Sequence, residues 1–279
     1  MEFNKFESQV FLTTVRVATK GARRGISIGT GFLMTVSLPE RRALVLLISN
    51  KHVFGDSGHR IQLKFHKRGQ SNTQPQLGET ITITSKEFSG VYRGHPNPNI
   101  DLACLNISDV VSKHPINILG LKPEMLADFS EPDLQAGKDI WFVGYPQDRF
   151  DVANNLPILR HGNIASIPQV DFNSERNFLI DAQVFPGSSG SPVFTQIGDR
   201  YKLVGVVAQT MIRYGRVQPV PISSRLKAEG ILGIGIVIKS PLVKELIDLA
   251  RREVEDTIRA SRTFVTKEPR VQTNPKSTG

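Results

Sequence analysis

Cys104 is the only cysteine in the 279 residues, which excludes an intrachain disulfide and leaves packing to hold the fold. Long apolar runs are missing too: none approaches 18 residues, and no charged segment followed by an apolar one opens the chain. The sequence therefore predicts neither a membrane span nor a signal peptide, and the cytoplasm is the expected location. Paired metal-ligand spacing is absent among His59, His66, His95, His114 and His161. These read as surface or turn residues, and no metal or cofactor is expected.

Charge of one sign is in deficit: 35 Lys and Arg face 26 Asp and Glu, a net +9. Such an excess raises the question of nucleic acid or other acidic partners. Its clusters are short and scattered, at Arg23-Arg24, Arg41-Arg42, Lys64 to Arg68 and Arg251-Arg252. Neither a basic and aromatic strand pair nor a cysteine/histidine finger accompanies them. Solvated charge is the reading.

What the chain does have is short β-patterned segments. Residues 9–18 are β-branched and partly alternating and predict a first strand; 27–36 predict a second, with Gly29 and Gly31 marking a bulge or a close backbone approach. Residues 43–49, Ala-Leu-Val-Leu-Leu-Ile-Ser, are apolar enough for burial on both faces and run directly into His52. Strands are expected at 61–65, 80–84 and 88–92, with 66–78 as a hairpin loop. Asp101 opens an apolar strand over 101–107, where a turn-capping Asx role is the plain alternative. Cys104 on that strand reads as buried filler.

Residues 108–137 are richer in Pro, Asp, Glu and Lys and read as a connection. Further strands are expected at 138–146, 159–167, 177–184, 192–195, 201–208 and 233–238. Roughly a dozen short strands between turn signals predict an all-β barrel or sandwich. After Pro241 the period changes: Leu242, Val243, Leu246, Ile247, Leu249, Ala250 and Val254 recur at helical spacing, predicting a helix packed on the second half. The expected organisation is an N-terminal unit over 1–115, a connection over 116–137, a second unit over 138–240, a helix over 241–262 and a disordered basic tail over 263–279.

One nonapeptide stands apart: Phe185-Pro186-Gly187-Ser188-Ser189-Gly190-Ser191-Pro192-Val193. Acyl transfer needs a hydroxyl activated by a base and N–H donors for the developing oxyanion, and a glycine-bounded turn can present both. Taken alone, the stretch reads as a loop between strands. Histidine is the usual base for serine, and a carboxylate usually orients that histidine. The order of His52, Asp101 and Ser189 is informative. An α/β-hydrolase needs a histidine after its serine, yet the last histidine is His161, and Ser191 stands where that elbow's second glycine belongs. A subtilisin-like order needs an aspartate before His52, yet the first is Asp56.

In these features the sequence resembles the trypsin-like serine proteases of chymotrypsin fold, and within them the bacterial HtrA/DegP-type protease domain, with no PDZ domain read after residue 240. The matching stretches lie at 29–32, 48–53, 99–103, 143–146, 181–192 and 233–240. The resemblance implies an all-β fold of two six-stranded β-barrels of chymotrypsin type with a C-terminal α-helix. It implies a serine endopeptidase with Ser189 as nucleophile, His52 as general base and Asp101 as its orienter. The amides of Gly187 and Ser189 would form the oxyanion hole. Gln183 would lie near the base of the pocket for the side chain preceding the cut, with Ala208, Thr210 and Gly235 on its walls. No carboxylate stands at 183, so a small or medium uncharged side chain is expected there. Ser188 occupies the position where secreted relatives carry an aspartate, so no activating cleavage is expected. The expected partners are a protein or peptide substrate and an activating or docking protein. The alternative is a latent protease-fold scaffold with a collapsed oxyanion loop.

Overall fold

The computed structural model describes residues 5–20, 26–55, 60–70, 74–84, 90–216 and 227–265, with the backbone alone at 210–216, 227–231 and 261–265. Seven strands form the first sheet: β1 (Thr14–Lys20), β2 (Ile26–Leu38), β3 (Arg42–Ser49), β4 (Arg60–Arg68), β5 (Pro75–Thr84), β6 (Tyr92–Gly94) and β7 (Ala103–Asn106). Their order is β5-β4-β1-β2-β3-β7-β6, all neighbours antiparallel. The second half is a closed barrel of six strands: β8 (Asp139–Gly144), β9 (Ile158–Ile164), β10 (Asn177–Asp181), β11 (Pro192–Ile197), β12 (Arg200–Arg216) and β13 (Lys227–Lys239), ordered β10-β13-β12-β11-β8-β9. The all-β class and the closing helix are as expected, and the architecture is that of a chymotrypsin-like double barrel. In the first half the detail differs: among the described residues no ladder joins its edge strands β5 and β6. Part of the strand expected at 88–92 lies outside the described residues.

Burial explains the uninterrupted apolar runs. Along β2 and β3, Phe32, Met34, Val36, Leu44, Leu46 and Ile48 point into a cluster between the two halves. Leu33, Val45 and Leu47, on the other face, fill the first sheet's own core. Both faces are buried, so the usual polar alternation disappears. β4 keeps it, with Ile61, Leu63 and Phe65 inward.

Among the described residues four α-helices accompany the sheets: α1 (Phe6–Thr13), α2 (Lys51–Phe54), α3 (Ser108–Lys113) and α4 (Ser240–Val265). α1 corrects the strand expected at 9–18. The β-branched run Thr-Thr-Val-Arg-Val begins only at residue 13, and the chain before it coils to bury Val10 and Leu12. The Thr13 and Thr14 hydroxyls donate to the Val10 carbonyl at 2.9 and 3.0 Å, closing the helix where β1 starts. The loop expected at 66–78 is shorter, because β4 runs to Arg68 and β5 begins at Pro75. α4 confirms the helical period but packs on both halves. Leu242, Val243, Leu246, Ile247 and Ala250 enter the cluster that joins the halves, and Arg93 of β6 pairs with Glu253. The tail expected at 263–279 lies almost wholly outside the described residues. No helix among those described is long and apolar enough to cross a membrane.

Cys104 and His66 are among the buried groups whose titrations are displaced. Burial raises the Cys104 thiol to about 12, as suits a packing residue. His66 is buried with Nδ1 unpartnered; desolvation first, and then the Lys64 charge, hold its pKa below 6.5. The unfolded chain takes up this proton near pH 6.5 and the folded chain resists it. Stability is therefore intact above that pH and falls as pH drops towards the folded pKa. The urea midpoint should fall between about pH 7 and 5, and His66→Gln should flatten that slope. His95, lowered chiefly by burial, has the same sign, so part of the slope should survive. An unchanged slope in the variant would contradict the assignment.

Candidate active site

His52 sits on the single turn of α2, directly after β3. Val53 and Phe54 anchor the turn in the core, leaving the His52 ring half-exposed. α2 lies so close to β2 that a Cβ on Gly29 would come within 2.5 Å of Val53 Cγ1, which accounts for the close approach read at that glycine. Asp101 precedes β7, the neighbour of β3 in the sheet. Its Oδ2 lies 2.5 Å from His52 Nδ1, and its Oδ1 accepts the His52 backbone N–H at 3.1 Å. Asn50 Nδ2 donates to the Asp101 carbonyl at 2.8 Å and ties the two segments together. The carboxylate thus spends its acceptors on His52, 49 residues away, and the Asx-cap alternative ends there.

Ser189 is the second residue of the second of two consecutive turns. Ser188 N–H donates to the Phe185 carbonyl at 2.9 Å, and Ser191 N–H to the Ser188 carbonyl at 3.0 Å. The third residue of each turn is a glycine with positive φ, +92° at Gly187 and +86° at Gly190. That value, with Pro186 second in the first turn, marks type II. A type I turn would need a negative φ at Gly187 and would turn the Pro186–Gly187 peptide over. The Pro186 carbonyl accepts Gln147 N–H at 2.6 Å. In a trans peptide N–H and C=O point oppositely, so Gly187 N–H faces away from Gln147. Neither Gly187 N–H nor Ser189 N–H donates to an acceptor among the described residues.

Thr30 of β2 braces this loop from the first half. Its Oγ1 donates to the Gly187 carbonyl at 2.8 Å, and its N–H to the Ser189 carbonyl at 2.9 Å. The Ser189 hydroxyl itself donates to the Ala208 carbonyl at 3.1 Å. Ala208, Gln209, Ile236, Ile238, Ile100 and Asp101 border a cavity of about 510 Å³ beside the histidine and carboxylate pair.

The chain matches the family model of the trypsin-like peptidase domain over residues 29–206. It belongs to this family. No curated protein matches the chain significantly. Among solved structures it is similar to the Rv3671c protease of M. tuberculosis in its active form, at 17% identity and a TM-score of 0.48, over 88% of this chain and 83% of that one.

Within this trypsin-like peptidase domain the expected pocket residues differ in exposure and partners. Gln183 is exposed, and its carbonyl accepts from Arg160 at 3.2 Å. Gly235 is buried against Val184 and Ile180. Thr210 pairs with Gly235 through the backbone, and its side chain lies outside the described residues. Ala208 borders the cavity, and among the described side chains Gln183 and Gly235 do not line it. Sequence reasoning missed the supports of the serine turn. Thr30 stood in plain view in Gly29-Thr30-Gly31 and read only as structural. Gln147, which orients the Pro186 carbonyl, carried no signal: its donor is a backbone N–H in a left-handed residue, φ +49°.

Proposed function

We propose that this domain is a serine endopeptidase that works through an acyl-enzyme on Ser189. A peptide carbonyl seated over Ser189 directs its oxygen at the free N–H groups of Gly187 and Ser189. The Ser189 hydroxyl gives up its bond to Ala208 and donates instead to His52 Nε2, which takes the proton as Oγ attacks. Asp101 Oδ2 holds the proton on His52 Nδ1, so that Nε2 presents a lone pair, and it stabilises the imidazolium that follows. The tetrahedral oxyanion is held by the two amides; His52 then protonates the leaving amine. Water, deprotonated by His52, hydrolyses the ester and restores Ser189. The absence of a carboxylate at 183 supports preference for an uncharged side chain before the cut.

The observation that carries this reading is the orientation of the Gly187 peptide, donor side outward beside an assembled histidine and carboxylate pair. A scaffold with a collapsed loop would show the opposite turn. One observation favours a latent form of the same enzyme: the Ser189 hydroxyl is committed to the Ala208 carbonyl. Rapid mixing with a p-nitrophenyl ester separates the readings. A burst of about one equivalent of nitrophenol, absent from Ser189→Ala, is the result expected of an acyl-enzyme. Equal, burstless hydrolysis by both proteins would overturn it.

A further inference from the structure

The oxyanion turn is held from outside. Beside the Thr30 contacts, its type II form has the Pro186 carbonyl accepting Gln147 N–H at 2.6 Å, and that N–H belongs to an unusual turn over residues 146–148. Gln147 and Asp148 are successive non-glycine residues with positive φ, +49° and +58°. Asp visits this region with little cost, but Gln does not, so at Gln147 the surroundings must impose it. Asp148 is fixed by Arg16 through a bidentate pair, Nε to Oδ1 at 2.6 Å and Nη2 to Oδ2 at 2.9 Å. Arg16 sits in β1, laddered to β2 on one side and β4 on the other, and its guanidinium lies 5.6 Å from the Phe150 ring centroid. Before the turn, buried Tyr145 donates its hydroxyl to the Thr14 carbonyl of the same strand at 3.4 Å. The segment 145–150 is thus pinned to β1 at both ends, with Gln147 N–H aimed at Pro186 between them.

We infer that the Arg16–Asp148 pair is the latch that keeps the oxyanion hole open, so that the first half of the molecule controls a donor in the second. This rests on the serine-protease reading above. Arg16 and Asp148 are positioning residues: they touch no reacting atom and act through Gln147 and Pro186. When the pair is broken, residues 147 and 148 relax to negative φ and Gln147 N–H turns away. The Pro186–Gly187 peptide then flips to the type I turn, which places a carbonyl where the oxyanion should lie. The cost falls on the transition state, because ground-state binding does not use that donor.

The test is steady-state hydrolysis of a p-nitrophenyl ester by the full chain and by Asp148→Asn, Asp148→Gly, Arg16→Met and Arg16→Lys, with thermal midpoints recorded. Both Asn and Gly tolerate positive φ, so they remove the carboxylate without adding backbone strain. The latch predicts kcat about 10-fold to 100-fold lower for Asp148→Asn, Asp148→Gly and Arg16→Met, within the loss expected for an oxyanion donor, and KM within about twofold. Arg16→Lys, which keeps the charge and loses the fork, should fall between. The double variant Arg16→Met, Asp148→Asn should be no worse than either single one. Should Arg16→Met fail to fold, the two Asp148 variants carry the test. Full kcat in the Asp148 variants, or a loss expressed wholly in KM, would overturn the latch while leaving the protease reading intact. A wild-type chain with no Ser189-dependent turnover would overturn both.

Discussion

Asp101→Asn should lower kcat by about 10⁴-fold at neutral pH, with KM changed by no more than a few-fold. Asp101 meets His52 twice, at ring Nδ1 and at the backbone N–H. An asparagine of the same shape can keep the backbone bond through its carbonyl oxygen, so α2 should hold its place. Its amide then faces Nδ1 and donates to it, which moves the ring proton to Nε2. In that tautomer His52 cannot accept the Ser189 proton, and the stabilising negative charge is gone as well. Single-turnover acylation isolates the step. A loss under about tenfold would mean that Asp101 merely positions α2.

Gly187→Ala should lower kcat by about 10²-fold to 10³-fold, the usual cost of one oxyanion donor, and should also lower the unfolding midpoint. Two constraints act on this residue together. Its φ of +92° disfavours any side chain, and a Cβ would overlap the Tyr145 carbonyl oxygen. Turning the peptide to the type I form relieves the strain and discards the N–H donor. The alanine variant should therefore remain labelled slowly by reagents that react with Ser189, since nucleophile and base survive. Wild-type kcat in a folded Gly187→Ala would show that this amide has no part in the chemistry.

Much of this is legible in the sequence. The double-faced burial of β3 follows from its unbroken Leu, Val and Ile run, and His52 and Asp101 stand at the ends of two apolar segments that the sheet makes neighbours. The glycine-bounded turn at Ser189 is legible in its Gly, Ser and Pro cluster, whereas its division into two successive turns is not. Other features had no local signal. α1 forms because Val10 and Leu12 gain more from burial than their propensity costs, an outcome decided by residues far along the chain. β6 is a three-residue segment too short to show alternation, and the strand expected at 88–92 meets it only at Tyr92. Arg16 and Asp148 are 132 positions apart, and each reads alone as one more surface charge. Gln183 illustrates the reverse difficulty: its place in the resemblance was clear, whereas its exposure depends on how the chain turns between β10 and the serine loop.

The most direct test is the intact mass of the chain after exposure to a fluorophosphonate, which phosphonylates a serine that has an assembled base and oxyanion hole. The account predicts one adduct on the wild type, none on Ser189→Ala, and a slower adduct on Asp148→Asn. No adduct on the wild type, or equal labelling of the wild type and Ser189→Ala, would contradict it.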